Sequence, residues 1–430
     1  MSTVAVGAHD AGREGILRDI ASKIPVRPST RRRQLWIACM VVGFGSFLLL
    51  LFAFHRPERA WGAFTINTLY WLGIAQAGMV LVSAIRLSNG RWGGPMVRIA
   101  ESLSAYLPYG YATMMVLLFA GIWTYLPWTK HVLPRQAPFL NVPFLYIRTL
   151  GGLGLLWWLT RRSVRLSLRH DAHLLRDYVG PELKPEYDKL AGDWKGDEAE
   201  RLRTRHVQAH LAPQITLLFA VVFTVLAWDF ILALTPMWVS SLFGWWFFIG
   251  CFITGLAMTG FVAARARAHY RLEDYVTPHH FWDLGKILFS FCIFWVYQFW
   301  AQYLVIWYGN LPDETGWVFL RLEQPWRTWA FAAFIMIFAI PFLGMLNKTT
   351  KANPLWFSAF ALLILAGVWV ERHVLVMPSL DPIHVWIGLP EIGVTVGFLG
   401  MFGWAVQGFL AKYPAIVVAD ALENGGGHGH

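Results

Sequence analysis

Charge is scarce in this chain. Of 430 residues only 14% are Asp, Glu, Lys or Arg, while 56% are hydrophobic. Ordinary globular chains carry about 25% charged and about 45–50% apolar residues. So few charges cannot shield so much apolar surface from water, which excludes a soluble protein of one or more domains at this length. Cysteine is scarcer still. Cys39, Cys251 and Cys292 each sit in an apolar run, and no CxxC or CxxCH occurs, so the chain has no disulfide framework, zinc knuckle or covalent haem site. Phosphate-cradling glycine loops and nucleophile elbows are lacking as well. A b-type haem needs two opposed His deep in a helix bundle, whereas His55 and His373 stand at the edges of apolar stretches. Aromatic residues, by contrast, are plentiful, with 24 Trp and 31 Phe. Such rings suit interfacial belts and could line a quinone or lipid slot.

A bilayer-crossing helix needs about 20 mostly apolar residues. Ten stretches meet this, at about 35–54, 64–86, 99–123, 143–160, 212–234, 239–263, 285–307, 327–346, 355–373 and 389–410. The expected fold is therefore an all-α polytopic membrane protein with ten transmembrane helices. The first stretch follows Arg31-Arg32-Arg33 like a signal-peptide core. It lacks a small-residue cleavage site and follows a 34-residue tail, so it reads as a retained helix.

The net charge of +10 has a topological meaning. With the N-terminus inside, the inner segments hold 28 Lys and Arg and the outer segments 7, with Arg148 inside the fourth span. That asymmetry is a positive-inside signal placing both termini in the cytoplasm, and it removes the need for a nucleic-acid partner. The organisation expected is a cytoplasmic tail over 1–34, spans one to four over 35–160, a cytoplasmic amphipathic loop over 161–211, spans five to ten over 212–412, and a flexible tail over 413–430. The loop, with 11 basic and 9 acidic residues, reads as a solvated hairpin or as a docking surface for another subunit. The closing glycines with His428 and His430 read as a flexible end.

Ionisable groups inside a span are costly and are functional candidates by default. Asp229, in Trp228-Asp229-Phe230 near the outer end of the fifth span, reads either as a proton-exchanging carboxylate or as the partner of an Arg. On the seventh span Ser290 and Tyr297 follow Lys286 by 4 and 11 residues, close to one helix face. Gln298 and Gln302 lie one turn apart on an adjacent face, and Tyr303 follows. These groups read as a hydroxyl and amide ladder facing the bundle, usable for proton transfer, or as ordinary interhelical hydrogen bonding. Lys286 alone suits a snorkelling interface residue, with His279, His280 and Asp283 at the same mouth. Glu371, Arg372 and His373, at the outer end of the ninth span and near Glu314 and Arg321 by topology, read as a proton exit or as an exposed ion-pair cluster. Glu391 reads as an interface residue. Tyr70, Gln76, Glu101, Tyr106 and Tyr109 mark the second and third spans; Gln76, Tyr70, Tyr106 and Tyr109 are candidates for contact with a quinone or lipid. No catalytic and no metal-ligating residue is expected.

Several strings carry a resemblance. Asp283-Leu284-Gly285-Lys286 leads into Phe294-Trp295 and then Phe299-Trp300-Ala301-Gln302-Tyr303-Leu304-Val305-Ile306-Trp307-Tyr308-Gly309-Asn310-Leu311-Pro312-Asp313-Glu314-Thr315. Together with Pro236-Met237-Trp238 and Met377-Pro378, this resembles the NrfD-like, or polysulfide reductase membrane-subunit, family, and within it the F-type subunits of alternative complex III, a bacterial quinol:cytochrome c oxidoreductase. The resemblance covers about residues 35–412.

It implies two four-helix bundles, spans two to five and six to nine, flanked by spans one and ten. It also implies a cofactor-free chain in the bacterial inner membrane. Its partners would be a homologous membrane subunit that oxidises quinol (menaquinol), an iron–sulfur protein and multihaem cytochrome c subunits, with membrane lipids around it. Asp229, Lys286 and Tyr308 match family positions. The quinol-linked His of the related C-type subunits is Gln76 here, within Leu72-Gly73-Ile74-Ala75-Gln76-Ala77-Gly78. An amide can hydrogen-bond a quinone oxygen but cannot accept a quinol proton at neutral pH, so the expectation is an anchoring subunit that relays protons. The alternatives are a catalytic quinone-binding subunit and an independent secondary transporter, the latter disfavoured because only Pro341 offers a convincing helix break.

Overall fold

A computed structural model describes residues 2–423. Among them there is no strand, and ten helices are long and apolar enough to cross a membrane. Their bounds are Thr30–Ala53, Pro57–Leu87, Gly94–Tyr125, Val142–Leu175, Asp197–Leu234, Phe243–His269, Pro278–Gly309, Arg327–Gly344, Pro354–Leu380 and Leu389–Lys412. The protein is thus an all-α, multi-pass membrane protein. Most of these helices run past the apolar windows, because backbone hydrogen bonding continues into water once the helix is nucleated.

Spans two to five pack as one ring of four and spans six to nine as another. The second span is the shared wall: it touches the fifth and third in its own bundle and the sixth and ninth in the other. Its central stretch is 94% buried, which is why it reads as apolar on every side. Small residues let this seam close; a methyl group on Gly255 would lie 2.4 Å from Ala77 Cβ. The tenth span lies against the second, and the first span lies on the tenth. There the backbones nearly touch, since a Cβ on Gly43 would fall 2.2 Å from Gly397 Cα, the close approach that small residues permit between membrane helices.

Proline accompanies two of the irregular turns. Pro108 cannot donate to the carbonyl four residues back, and a 3₁₀ turn covers Ser104–Tyr106 just before it. The break expected at Pro341 is a π turn over Ile335–Ala339, after which the helix resumes. Two further π turns span Leu117–Gly121 in the third span and Leu49–Ala53 in the first. Those within the bundles lie on the second helix of one and the third helix of the other, so they do not match in position as a transporter repeat would require.

The stretch over 161–211 is less a separate loop than the continuation of its flanking spans. The fourth helix runs on to Leu175, a short helix covers Lys184–Ala191, and the fifth begins at Asp197. The tail expected to be flexible from 413 onward is ordered as far as Glu423. Tyr187 donates to the Lys412 carbonyl at 3.0 Å, Tyr413 donates to Glu186 at 2.5 Å, and the Val418 amide donates to Asp171 at 3.2 Å. Ile416 and Val418 are buried, so enough apolar surface is covered to offset the ordering entropy. His428 and His430 lie outside the described residues. At the other end, a helix over Ser2–Ser22 packs against the closing helix Val418–Glu423 through a segment with Leu17 and Ile20 buried. The two ends therefore share one face of the molecule.

Candidate functional site: buried charges in the two bundles

The first bundle holds two ionic centres at opposite ends. Near the end of the fifth span Asp229 is buried and faces Arg148 of the fourth. Arg148 Nε donates to Oδ2 at 2.8 Å and Nη2 to Oδ1 at 2.6 Å, while Nη1 donates to the Phe139 carbonyl at 2.7 Å. The guanidinium lies over the Phe139 and Phe144 rings. Of the two readings of Asp229, this geometry is that of the Arg partner: a two-point pair that engages both carboxylate oxygens.

At the other end Glu101 binds two arginines. Arg86 Nη2 reaches Oε1 at 2.7 Å, and Arg98 Nη1 reaches Oε2. Arg98 also meets Asp171 at 2.5 Å, and Arg86 Nη1 donates to Ser163 Oγ at 2.8 Å. Two acids and two bases thus neutralise each other out of water, the condition under which buried charge is tolerated. Ser163 is three residues beyond Thr160, whose hydroxyl accepts from Gln76 Nε2 at 3.0 Å. A polar column therefore runs from Asp171 down to Gln76 and stops there. Beside Gln76 lies a cavity of about 10 Å³ lined by Leu72, Leu107, Tyr111, Trp157 and Phe223. That is room for about one water and far short of a quinone ring.

The second bundle holds the least satisfied charges. Glu371, Arg372 and His373 are all buried, not an exposed ion-pair cluster, because the ninth helix continues through Val374-Leu375-Val376-Met377 to Leu380. Arg372 Nη1 lies 2.9 Å from Glu371 Oε2, and Nη2 donates to the Phe247 carbonyl at 2.9 Å. Gly250 makes room for it, since a Cβ there would meet Nη2 at 2.7 Å. His373 Nδ1 is 2.9 Å from the Trp369 carbonyl, and its Nε2 has no partner. Neither Glu371 oxygen accepts a well-formed hydrogen bond, and the Trp295 indole and the Gln298 and Gln302 carbonyls of the seventh span lack partners too. Buried groups left so are expected to hold water or a proton. Arg321 docks on the same helix, donating to the Leu375 carbonyl at 2.6 Å and Ser379 Oγ at 2.8 Å.

The seventh span does not turn its whole polar set inward. Gln298 is buried and Gln302 and Tyr303 are half-buried, but Ser290 is exposed and Tyr297 is 62% exposed. The expected ladder is split between two faces, since Tyr297 and Gln298 are consecutive and a helix separates neighbours by about 100°. Lys286 pairs with Asp283 at 2.6 Å, lies over the Trp282 ring and stays half exposed; His279 joins Asp283 at 3.0 Å. This mouth is separate from both Asp229 and Glu371. Nor do the four quinone or lipid candidates converge. Tyr70 donates to the Leu365 carbonyl of the ninth span, Gln76 to Thr160, and the buried Tyr106 hydroxyl has no partner, with Tyr109 stacked beside it and 38% exposed. Glu391, expected at an interface, is buried and gripped by Arg59 at 2.5 and 3.0 Å.

The sequence reading missed Asp171 and Arg98 as interior charges, and the signal was the i,i+3 spacing of Arg98 and Glu101. The chain matches no known family profile and no curated protein sequence.

Proposed function

We propose that this protein is a cofactor-free membrane subunit of a bacterial respiratory quinol:cytochrome c oxidoreductase of the alternative complex III type. It anchors the complex in the inner membrane, both termini cytoplasmic, beside a homologous quinol-oxidising subunit, an iron–sulfur protein and multihaem cytochromes c. The run from Phe299 to Thr315, the paired four-helix bundles and the skewed Lys and Arg distribution support this reading. A proton-handling role rests on one observation: a buried carboxylate, Glu371, that lies 2.9 Å from the buried Arg372 yet accepts no well-formed hydrogen bond at either oxygen. Asp229 accepts two aligned hydrogen bonds from Arg148, so we assign proton exchange to Glu371, with Gln298, Gln302 and His373 as the further polar groups of that bundle. The water-sized space at Gln76 fits an anchoring role better than quinone oxidation in this chain.

Gentle detergent purification from membranes tests the assignment. c-Type haem on a stained gel and iron–sulfur signals by EPR should co-purify; repeated recovery of a metal-free monomer would overturn it. For the proton role, Glu371→Gln should leave the complex assembled and lower the protons released per quinol oxidised. An unchanged stoichiometry would remove Glu371 from the path.

A further inference from the structure

On the face that carries both described ends of the chain, Arg32 of the first span meets His269 of the sixth, and Arg31, Arg33 and Arg265 each lie within one helical turn of that contact in sequence. Arg31, Arg32 and Arg33 open the first span, and all are exposed. Arg32 Nη2 lies 3.3 Å from His269 Nδ1. Arg265 is one helical turn before His269, hence on the same face of the sixth span. Aromatic rings seat two of these cations: Arg33 lies over Trp404 at 5.0 Å and Arg265 over Phe261 at 5.5 Å.

None of the four pairs with a carboxylate among the described residues. The nearby Asp19 is already taken by Lys23 at 2.8 Å and by the Tyr275 hydroxyl at 2.9 Å. Guanidiniums grouped around one contact with no carboxylate partner, two of them set against rings, favour an anion. Along the first span, Leu35, Val41, Val42 and Phe44 are exposed on different sides of the helix, so its surface is apolar nearly all round, and a notch lined by Ile20, Lys23, Ile24, Tyr270 and Leu410 lies beside His269 through Tyr270.

We infer that this cluster binds the phosphodiester headgroup of an anionic phospholipid, with its acyl chains lying along the exposed apolar surface of the first span. Phosphate charge at the cations and hydrocarbon immediately beneath them are what one lipid molecule supplies together, and basic clusters at helix ends on the cytoplasmic side recognise such headgroups. A soluble phosphate would satisfy the cations and leave that apolar surface unused.

The test is a lipid titration of the purified, delipidated protein in neutral detergent, read by native mass spectrometry and by melting temperature. Phosphatidylglycerol should bind and raise the melting temperature; phosphatidylcholine and inorganic phosphate should not. Arg32→Gln with Arg265→Gln should weaken phosphatidylglycerol binding roughly tenfold or more, from the attraction each basic residue adds near an anionic headgroup. Arg31 and Arg33 stay in place because they help orient the first span. If that pair fails to fold, His269→Gln with Arg265→Gln gives the same reading. Equal binding of the two lipids, stabilisation by inorganic phosphate alone, or unchanged affinity in a folded double variant would each overturn the inference.

Discussion

Arg148 holds both carboxylate oxygens of Asp229, with Nε and Nη2 at 2.8 and 2.6 Å, inside the first bundle. The same guanidinium is braced by the Phe139 carbonyl and by two phenyl rings. A carboxylate so enclosed is a structural tie between the fourth and fifth spans.

That tie should show in a double-mutant cycle. Arg148→Leu alone leaves a buried uncompensated carboxylate and should cost about 3–5 kcal/mol, read as a lower melting temperature in detergent. Arg148→Leu combined with Asp229→Leu should recover most of the loss. Additive losses would show that the two residues act separately.

Glu371 should behave differently. Neither of its oxygens accepts a well-formed hydrogen bond, yet Oε2 lies 2.9 Å from the buried Arg372 Nη1, so Glu371→Gln leaves that guanidinium without its counter-charge and should lower the melting temperature. It should also remove a carboxylic-acid carbonyl band from the pH-difference infrared spectrum. Asp229→Asn should leave that band in place, and a spectrum indifferent to Glu371→Gln would show the group does not exchange its proton.

The closing helix should respond to pH. Burial first, then the neighbouring Asp171 and Glu423, push Asp420 up to about 6, against the opposing pull of Arg98 and Arg86. A carboxyl whose folded value exceeds its unfolded value of about 3.9 favours the folded state when protonated. The stabilisation is full below about pH 4 and is lost as the pH rises through 6. Amide exchange over residues 413–423, corrected for intrinsic rates, should therefore be slower at pH 5 than at pH 7. Asp420→Asn should abolish the difference; a pH effect that survives it belongs to another group.

The contact of Gly43 with Gly397 leaves no space for a side chain. Gly397→Leu should lever the first span off the tenth, costing about 1–3 kcal/mol or more as overpacking does. Cys39, which faces Gly400 across the same seam, should then alkylate faster. An unchanged alkylation rate would mean the seam tolerates the side chain.

Much of the architecture was legible in the sequence, because a bilayer demands long apolar runs and this chain supplies ten. What escaped was the interior chemistry. Arg98 and Asp171 looked like loop charges because the apolar windows end before the helices do. Glu371 to His373 looked like a helix end for the same reason, although four further apolar residues carry the helix on to Pro378. On the seventh span, a wheel drawn from Lys286 gave the relative positions of Ser290, Tyr297 and Gln298. It could not give the absolute rotation of the helix, which depends on packing against the sixth span. Partners on distant spans, such as Arg59 of the second and Glu391 of the tenth, are 332 residues apart and leave no local signature.

Because the first span rests chiefly on the tenth, the span of the ten that leaves the ribosome first has its main partner made last of the ten. Roughly 350 residues separate the two glycines, and at about 5–20 residues per second their synthesis takes on the order of tens of seconds. During that interval the first helix must stand in the bilayer alone or lean on something else. Loss of the C-terminal helices by truncation should therefore expose it to membrane quality control, even though its own sequence is untouched.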